Sequence, residues 1–324
     1  MKTSEIAKIV KSKDFHLAGN DSTIEHLLTD SRTLIEPCGT LFFAITTKRD
    51  SGCRYVAKLY DKGVRSFVLP SSTDEEVRAA MLSRDDANVW FVKDVVKALQ
   101  LVAAAHREKF GIPVIGVTGS NGKTIVKDWL VQLLSPDRRV AASPKSYNSQ
   151  IGVPLSVWQM SPHDSIAVFE AGISESGEMG NLRNVIKPTI GIFTNIGQAH
   201  DENFLSRPQK VAEKLQLFTQ CQTLVYCSDH KDIQYVISEQ ESLKEVARFT
   251  WGRSDECDVQ LLDINYSLKS TSLKIRYAGD VFEVGIPFID FASIENATHC
   301  CLATPSRKSR SVAHGSRQSR CASK

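Results

Sequence analysis

Two hydrophobic patterns alternate over residues 1–93. Gly39–Ile45, Ser66–Leu69 and Val89–Val92 are short runs in which most residues are apolar, and they read as buried strands. Between them, Tyr55–Lys62 places Val56, Leu59 and Tyr60 at helical spacing and stops at Gly63, a residue suited to the turn that follows a helix. Met1–Phe15 has charges set inside its apolar pattern, which predicts a short amphipathic helix and not a signal peptide. Asp94 then opens a helix with Val95, Leu99, Val102 and His106 on one face, ended by Gly111.

The pattern beyond Gly111 changes in two stages. Val114–Val117, Ile166–Phe169, Thr189–Thr194 and Leu224–Tyr226 are strand-like, and Lys123–Leu134 and Pro208–Gln220 are helical, an alternation that predicts a mostly parallel sheet. Past Trp251 the period becomes two, over Val259–Ile264, Ser272–Tyr277 and Val281–Val284, with Ala278–Asp280 as a hairpin turn. The expected fold class is α/β. A small α/β domain spans 1–93. A central domain with a mostly parallel sheet and an antiparallel β extension spans 94–300, and a tail covers 301–324.

Composition narrows the function classes. The chain has 324 residues, 42% hydrophobic and 24% charged, which is ordinary for globular domains. Its 40 Lys and Arg against 37 Asp and Glu are too even for a whole-protein field directed at nucleic acid or a membrane. No run approaches the roughly 18 apolar residues of a membrane span. The 8 Cys include no C-x-x-C pair, so neither a zinc site nor a disulfide framework is expected, and reduced thiols in the cytoplasm are the default. The basic excess lies in the tail, where Arg307, Lys308, Arg310, Arg317, Arg320 and Lys324 stand among serines with no acidic residue. That stretch cannot bury a core and is expected to be disordered.

The most informative segment is Val114–Thr124, VIGVTGSNGKT, a buried strand running through a glycine-rich turn into a helix. Backbone N–H groups of Gly119, Ser120, Asn121 and Gly122 can wrap a phosphate there, aided by the positive end of the helix dipole. Lys123 would reach the β- and γ-phosphates, and the Thr124 hydroxyl would ligate Mg²⁺. The general G-x-x-x-x-G-K-[ST] pattern asks for Gly at 117, where Val stands; the glycines are Gly116, Gly119 and Gly122. The plain alternative is an ordinary glycine turn before a helix. No G-x-G-x-x-G follows the first strand, so a dinucleotide-binding domain is not supported there.

Thr118–Thr124 resembles the ATP loop of the Mur ligases, the amide ligases of peptidoglycan-precursor synthesis. Tyr147–Leu155 is similar to the family's N-x-x-I-G-x-P segment, and Glu170-Ala-Gly172 to its metal-binding glutamate. Thr194–Phe204 is similar to its T-N-x-x-x-A-H-x-x-x-F block, and Lys214–Phe218 to its modified-lysine helix. Asp30-Ser31-Arg32 with Gly39–Ala44 resembles the uridine-nucleotide domain of the later-acting members. The resemblance implies ATP as cosubstrate with Asn296 near it, and a first Mg²⁺ on Thr124 and Glu170. It implies a second Mg²⁺ on His200 and a carbamylated Lys214, with Lys123, Lys214 and His200 acting in catalysis. Ser31, Arg32, Thr46 and Asn148 are the implied substrate contacts.

The implied reaction activates the carboxylate of UDP-MurNAc-tripeptide as an acyl phosphate, which the amine of D-Ala-D-Ala then displaces. The member adding the third residue, and a nucleotide-binding remnant without turnover, remain as alternatives. A monomer is expected, with no nucleic acid or membrane partner. Ala292–His299 still resembles the family's late central segment, and after Cys300 the pattern collapses. A frameshift or early end is the expectation there, with the family's C-terminal domain missing. The chain as written is therefore expected to form little amide product.

Overall fold

The computed structural model describes residues 1–48, 50–197, 204 and 206–303. The chain divides into two compact units, one of Met1–Phe110 and one beginning at Gly111.

The first unit runs α1 (Thr3–Val10), β1 (Asp14–His16), β2 (His26–Leu28), β3 (Thr40–Phe43), α2 (Val56–Asp61), β4 (Ser66–Pro70), α3 (Glu75–Leu82), β5 (Asn88–Val92) and α4 (Val95–Arg107). Its sheet has the order β1-β5-β4-β3-β2. β2 to β5 are parallel and β1 is antiparallel to β5. The apolar runs read from the sequence are its central strands, with β3 and β5 buried at every position. Phe42, Phe67, Val89 and Phe91 form the core with Leu59 of α2.

Asp94 caps α4 as expected, its carboxylate accepting from the Lys97 N–H at 2.9 Å. The boundary expected at residues 93/94 nevertheless falls after α4. Val95, Ala98, Leu99, Val102 and Ala103 are buried, and α4 packs on α1, β3 and β4. An apolar helix face belongs to whichever sheet it covers, and this one completes the first core.

The second unit runs β6 (Val114–Thr118), α5 (Lys123–Leu134), β7 (Val140–Ala142), α6 (Gly152–Val157), β8 (Ile166–Glu170), α7 (Glu178–Ile186), β9 (Ile190–Phe193), α8 (Arg207–Leu215), β10 (Thr223–Cys227), α9 (Lys231–Glu239), β11 (Ala247–Gly252), β12 (Val259–Tyr266), β13 (Thr271–Tyr277), β14 (Asp280–Ile286) and α10 (Phe291–Ala303). Its sheet has the order β14-β13-β12-β11-β10-β9-β6-β8-β7. β7, β8, β6, β9, β10, β11 and β12 run parallel to one another, while β13 is antiparallel to both β12 and β14. Ala278 and Gly279 both have positive φ, the backbone of a tight hairpin turn matched to strand twist.

α10 corrects the reading of the tail's start. Cys301, Leu302 and Ala303 continue the helix, and Leu302 packs against the core around Val126, Val225 and Cys300. Residues 304–324, with the basic cluster, lie outside the described residues. Among the described residues no helix is long and apolar enough to cross a membrane.

Candidate active site

β9, β6 and β8 are neighbours in the sheet, and their carboxyl ends carry the site: Thr194-Asn195 after β9, Gly119–Gly122 after β6, and Glu170 closing β8. Open α/β sheets bind ligands at this edge.

The glycine turn is held from outside. Gly119 has φ +149°, and a Cβ there would stand 2.0 Å from Thr194 Oγ1. Gly122 has φ +81°, and its Cβ would stand 2.3 Å from Asn296 Oδ1. Only glycine meets both the backbone angle and the approach of these side chains. The Ser120 N–H donates to the Asn195 carbonyl at 2.9 Å, and the Asn121 N–H to Asn195 Oδ1 at 3.0 Å. The Thr194 hydroxyl donates to the Asn121 carbonyl at 2.6 Å. Asn296 is buried and its Oδ1 has no hydrogen-bond partner among the described residues.

Lys123 folds over the turn, donating to the carbonyls of Gly119 at 2.9 Å and Ser120 at 3.1 Å. Burial lowers its pKa, the nearby Lys210 lowers it further, and Glu170 opposes both. Lys214 Nζ donates to the same Gly119 carbonyl at 3.3 Å and is buried. Its pKa falls to about 7, first through burial and then through Lys123 and Lys210. Lys210 is buried beside them, donating to the Gly197 carbonyl at 2.6 Å.

Glu170 is fully buried, and neither carboxylate oxygen has a hydrogen-bond partner among the described residues. Burial raises its pKa. The nearby Thr124 hydroxyl, which falls short of a hydrogen bond, offsets this only in part, followed by Lys127 and Lys123. Buried carboxylate oxygens without donors, next to a hydroxyl and a glycine-rich turn, suit a hard divalent cation.

A pocket of about 310 Å³ opens on the turn, lined by Gly119, Lys123, Asn148, Gln150, Ser174 and Lys214 among others. The Asn148 carbonyl accepts from the Gly172 N–H at 2.8 Å, which ties its loop to the end of β8. Thus Gly119 to Thr124, Glu170, Lys214, Asn148 and Asn296 come together in the second unit. His200 lies outside the described residues.

In the first unit, Ser31 and Arg32 sit in a short turn beyond β2, and Thr46 lies beyond the parallel neighbour β3. Asp30 Oδ1 accepts from the Arg32 N–H, and the two side chains pair at 2.6 Å. Arg32 holds the Asp30 carboxyl down to about 2. Thr46 bridges to Ser51 across the loop that carries Asp50, whose carboxylate accepts from the Tyr55 hydroxyl at 2.6 Å. Arg32 feels both Asp50 and Tyr55, so these residues share one electrostatic environment.

The Mur ligase middle domain family matches residues 117–304. This chain belongs to the Mur ligase family. It is 30% identical over 295 residues to a UDP-N-acetylmuramoyl-tripeptide–D-alanyl-D-alanine ligase of Bacillus subtilis, covering 90% of this chain and 61% of that protein. It is 33% identical over 202 residues to an enzyme of the same name from Borreliella burgdorferi, covering 60% of this chain and 44% of that one. A crystal structure of MurF from Acinetobacter baumannii superposes with TM-score 0.79 at 21% identity, covering 93% of this chain and 63% of the other. The MurF ligase of Thermotoga maritima in complex with ADP gives 0.72 at 23% identity, covering 85% and 61%. The chain therefore spans about three fifths or less of the length of these relatives.

Several residues that shape this Mur ligase site escaped the sequence reading. Lys210 lies one helical turn before Lys214, on the stripe that also buries Val211 and Leu215, and two lysines inside an apolar stripe were the available signal. Lys127 is likewise buried in α5, donating to the carbonyls of Ser143 and Lys145. Glu213 accepts from the N–H groups of Gly177 and Met179 at the start of α7.

His299 was read only as part of a family segment. It is fully buried, accepts the Trp251 indole N–H at 3.2 Å on Nδ1, and donates from Nε2 to the Thr194 carbonyl at 2.9 Å. This fixes a neutral ring, and burial lowers its pKa to about 4. In the unfolded chain the ring binds a proton near 6.5, so stability is full above that pH and is lost as pH falls toward 4. Urea unfolding of the parent is expected to lose roughly 3 kcal/mol across this window through His299. A His299→Gln variant should show a flatter pH dependence there, and an equal slope in both would show that the ring is not the titrating group.

Proposed function

We propose that this chain supplies the nucleotide-sugar-binding and ATP-binding parts of an amide ligase that joins D-Ala-D-Ala to UDP-MurNAc-tripeptide, and that as written it forms little amide product. The observation that carries the reading is the pairing, at one sheet edge, of a phosphate-binding turn with a buried Glu170 whose oxygens have no protein donor. The names of the relatives supply the substrate class.

The turn from Gly119 to Gly122 would hold the nucleotide phosphates, Lys123 would neutralise them, and Asn296 would lie beside the nucleotide. Thr124 and Glu170 would hold Mg²⁺, which supplies charge neutralisation where two anions meet. Lys214 would carry a carbamate. A pKa of about 7 supplies the neutral amine that carbamylation needs. With His200, that carbamate would serve a second Mg²⁺. Asn148 would contact substrate at the pocket. Ser31, Arg32 and Thr46 would contact the uridine nucleotide in the first unit, residues 1–93 being its proposed binding core. The proposed setting is the cytoplasm, as a monomer, with neither nucleic acid nor membrane as partner.

The test is calorimetric titration of Mg-ATP into the chain and into Lys123→Ala. Hydrogen bonds to charged groups contribute about 1.5–3 kcal/mol, so the variant is expected to bind roughly 10- to 150-fold more weakly. Equal affinity in both would overturn the phosphate-loop assignment. For the substrate, phosphate release should respond to UDP-MurNAc-tripeptide and not to UDP-MurNAc-dipeptide, with product followed by mass spectrometry on adding D-Ala-D-Ala. An equal response to both nucleotides would overturn the substrate class.

A further inference from the structure

β10 ends on Cys227, and the chain turns through Ser228 and Asp229 to His230. This C-x-x-H spacing lets one tight turn offer a sulfur and a ring nitrogen to one ion. The turn is closed by the His230 N–H, which donates to the Cys227 carbonyl at 3.4 Å. The third group comes from α10: His230 Nε2 and Glu295 Oε1 are 2.5 Å apart. One ligand atom from each of Cys227, His230 and Glu295 lies within 4.8 Å of the other two. Cys227 and Glu295 are buried, while the His230 side chain is 27% exposed, which leaves a side open to solvent.

We infer that Cys227, His230 and Glu295 form a binding site for a thiophilic divalent cation, with Zn²⁺ the ion that suits one thiolate, one imidazole and one carboxylate. Three protein ligands with a solvent-facing side match a tetrahedral centre whose fourth position is water. The site is chemically distinct from the oxygen-rich Thr124–Glu170 position, where a hard cation is favoured. A cysteine sulfur binds a metal ion as the thiolate, so the Cys227 thiol proton has to leave. Binding of the ion displaces that proton to solvent, and the thiolate forms its bond to the metal.

The site also reaches the phosphate loop. Glu295 Oε2 accepts from Asn195 Nδ2 at 3.3 Å, and Asn195 Oδ1 accepts from the Asn121 N–H. An ion on Glu295 would fix the carboxylate that orients Asn195.

The experiment titrates Co²⁺ into the purified, metal-free chain. The expected result is one equivalent bound with a thiolate-to-cobalt charge-transfer band, and release of Co²⁺ by Zn²⁺. Cys227→Ser should abolish the band. His230→Gln and Glu295→Gln should each weaken binding at least tenfold. Cys257→Ser should change nothing, although Cys257 lies beside Ser228. Thermal unfolding of each variant verifies its fold. If Cys227→Ser does not fold, His230→Gln decides the matter with the thiol intact. Absence of a thiolate band, a band that follows Cys257, or unchanged affinity in His230→Gln would each overturn the assignment.

Discussion

Gly119→Ala is expected to destabilise the second unit by roughly 3–5 kcal/mol, summing a glycine-only backbone angle with a severe overlap. The added methyl carbon would sit 2.0 Å from Thr194 Oγ1 and 3.0 Å from both the N and O of Asn195. Thr194 cannot simply rotate away, because its hydroxyl holds the Asn121 carbonyl and it is fully buried. Relief requires the turn to leave the end of β9, which also dismantles the proposed phosphate cradle. Urea unfolding and Mg-ATP titration should therefore fail together. Gly180→Ala is the control: nothing lies within 4 Å of its Cβ position in α7, and a small gain of about 0.5–1 kcal/mol is expected. A loss below about 1 kcal/mol in Gly119→Ala would show that the turn is not held as described.

Lys214→Met is expected to act in the opposite direction. Lys214 is buried among Lys123 and Lys210, with a pKa of about 7 against an ordinary 10.5. The unfolded chain binds the proton more tightly, so the lysine costs stability below pH 7, and the cost shrinks as pH rises toward 10.5. In carbon-dioxide-free buffer the Met variant should exceed the parent by on the order of 4 kcal/mol at pH 7, and the two should converge near pH 10.5. A carbamate would replace the cation with an anion between two lysines. Bicarbonate should then stabilise the parent at pH 8 and leave the Met variant unchanged. A Met variant less stable than the parent at pH 7 in bicarbonate-free buffer would refute this electrostatic account.

What could be read from the sequence was local. β6, the glycine turn and α5 stand where the apolar run, Gly119 to Gly122 and the helical stripe placed them, because each depends on neighbours a few residues away. The antiparallel extension was legible for the same reason, through its period of two and the Ala278-Gly279 turn. The sequence pattern does not reveal the helices α3, α6, α7, α9 and α10; α3 in particular buries only Met81 fully, and its stripe is too thin to stand out. The end of the first unit was misplaced because an amphipathic helix announces a buried face without saying which sheet covers it. The roles of Asn195, Lys210 and Glu295 were hidden for a stronger reason. Each acts through groups brought close only by sheet order, and Cys227 and His230 gain their third partner from α10 in the same way.

The phosphate loop's dependence on remote partners bears on how the protein assembles. Asn121 finds Asn195 74 residues along the chain, and Asn195 finds Glu295 another 100 residues on. Closing such spans costs chain entropy before any contact repays it, and contacts of this separation form slowly. The strand and helix flanking the turn can form early from local contacts. The turn itself reaches its working shape only after β9 has been laid beside β6 and α10 has docked on α5. Nucleotide binding at the proposed turn is then expected late in refolding, after α10 has docked.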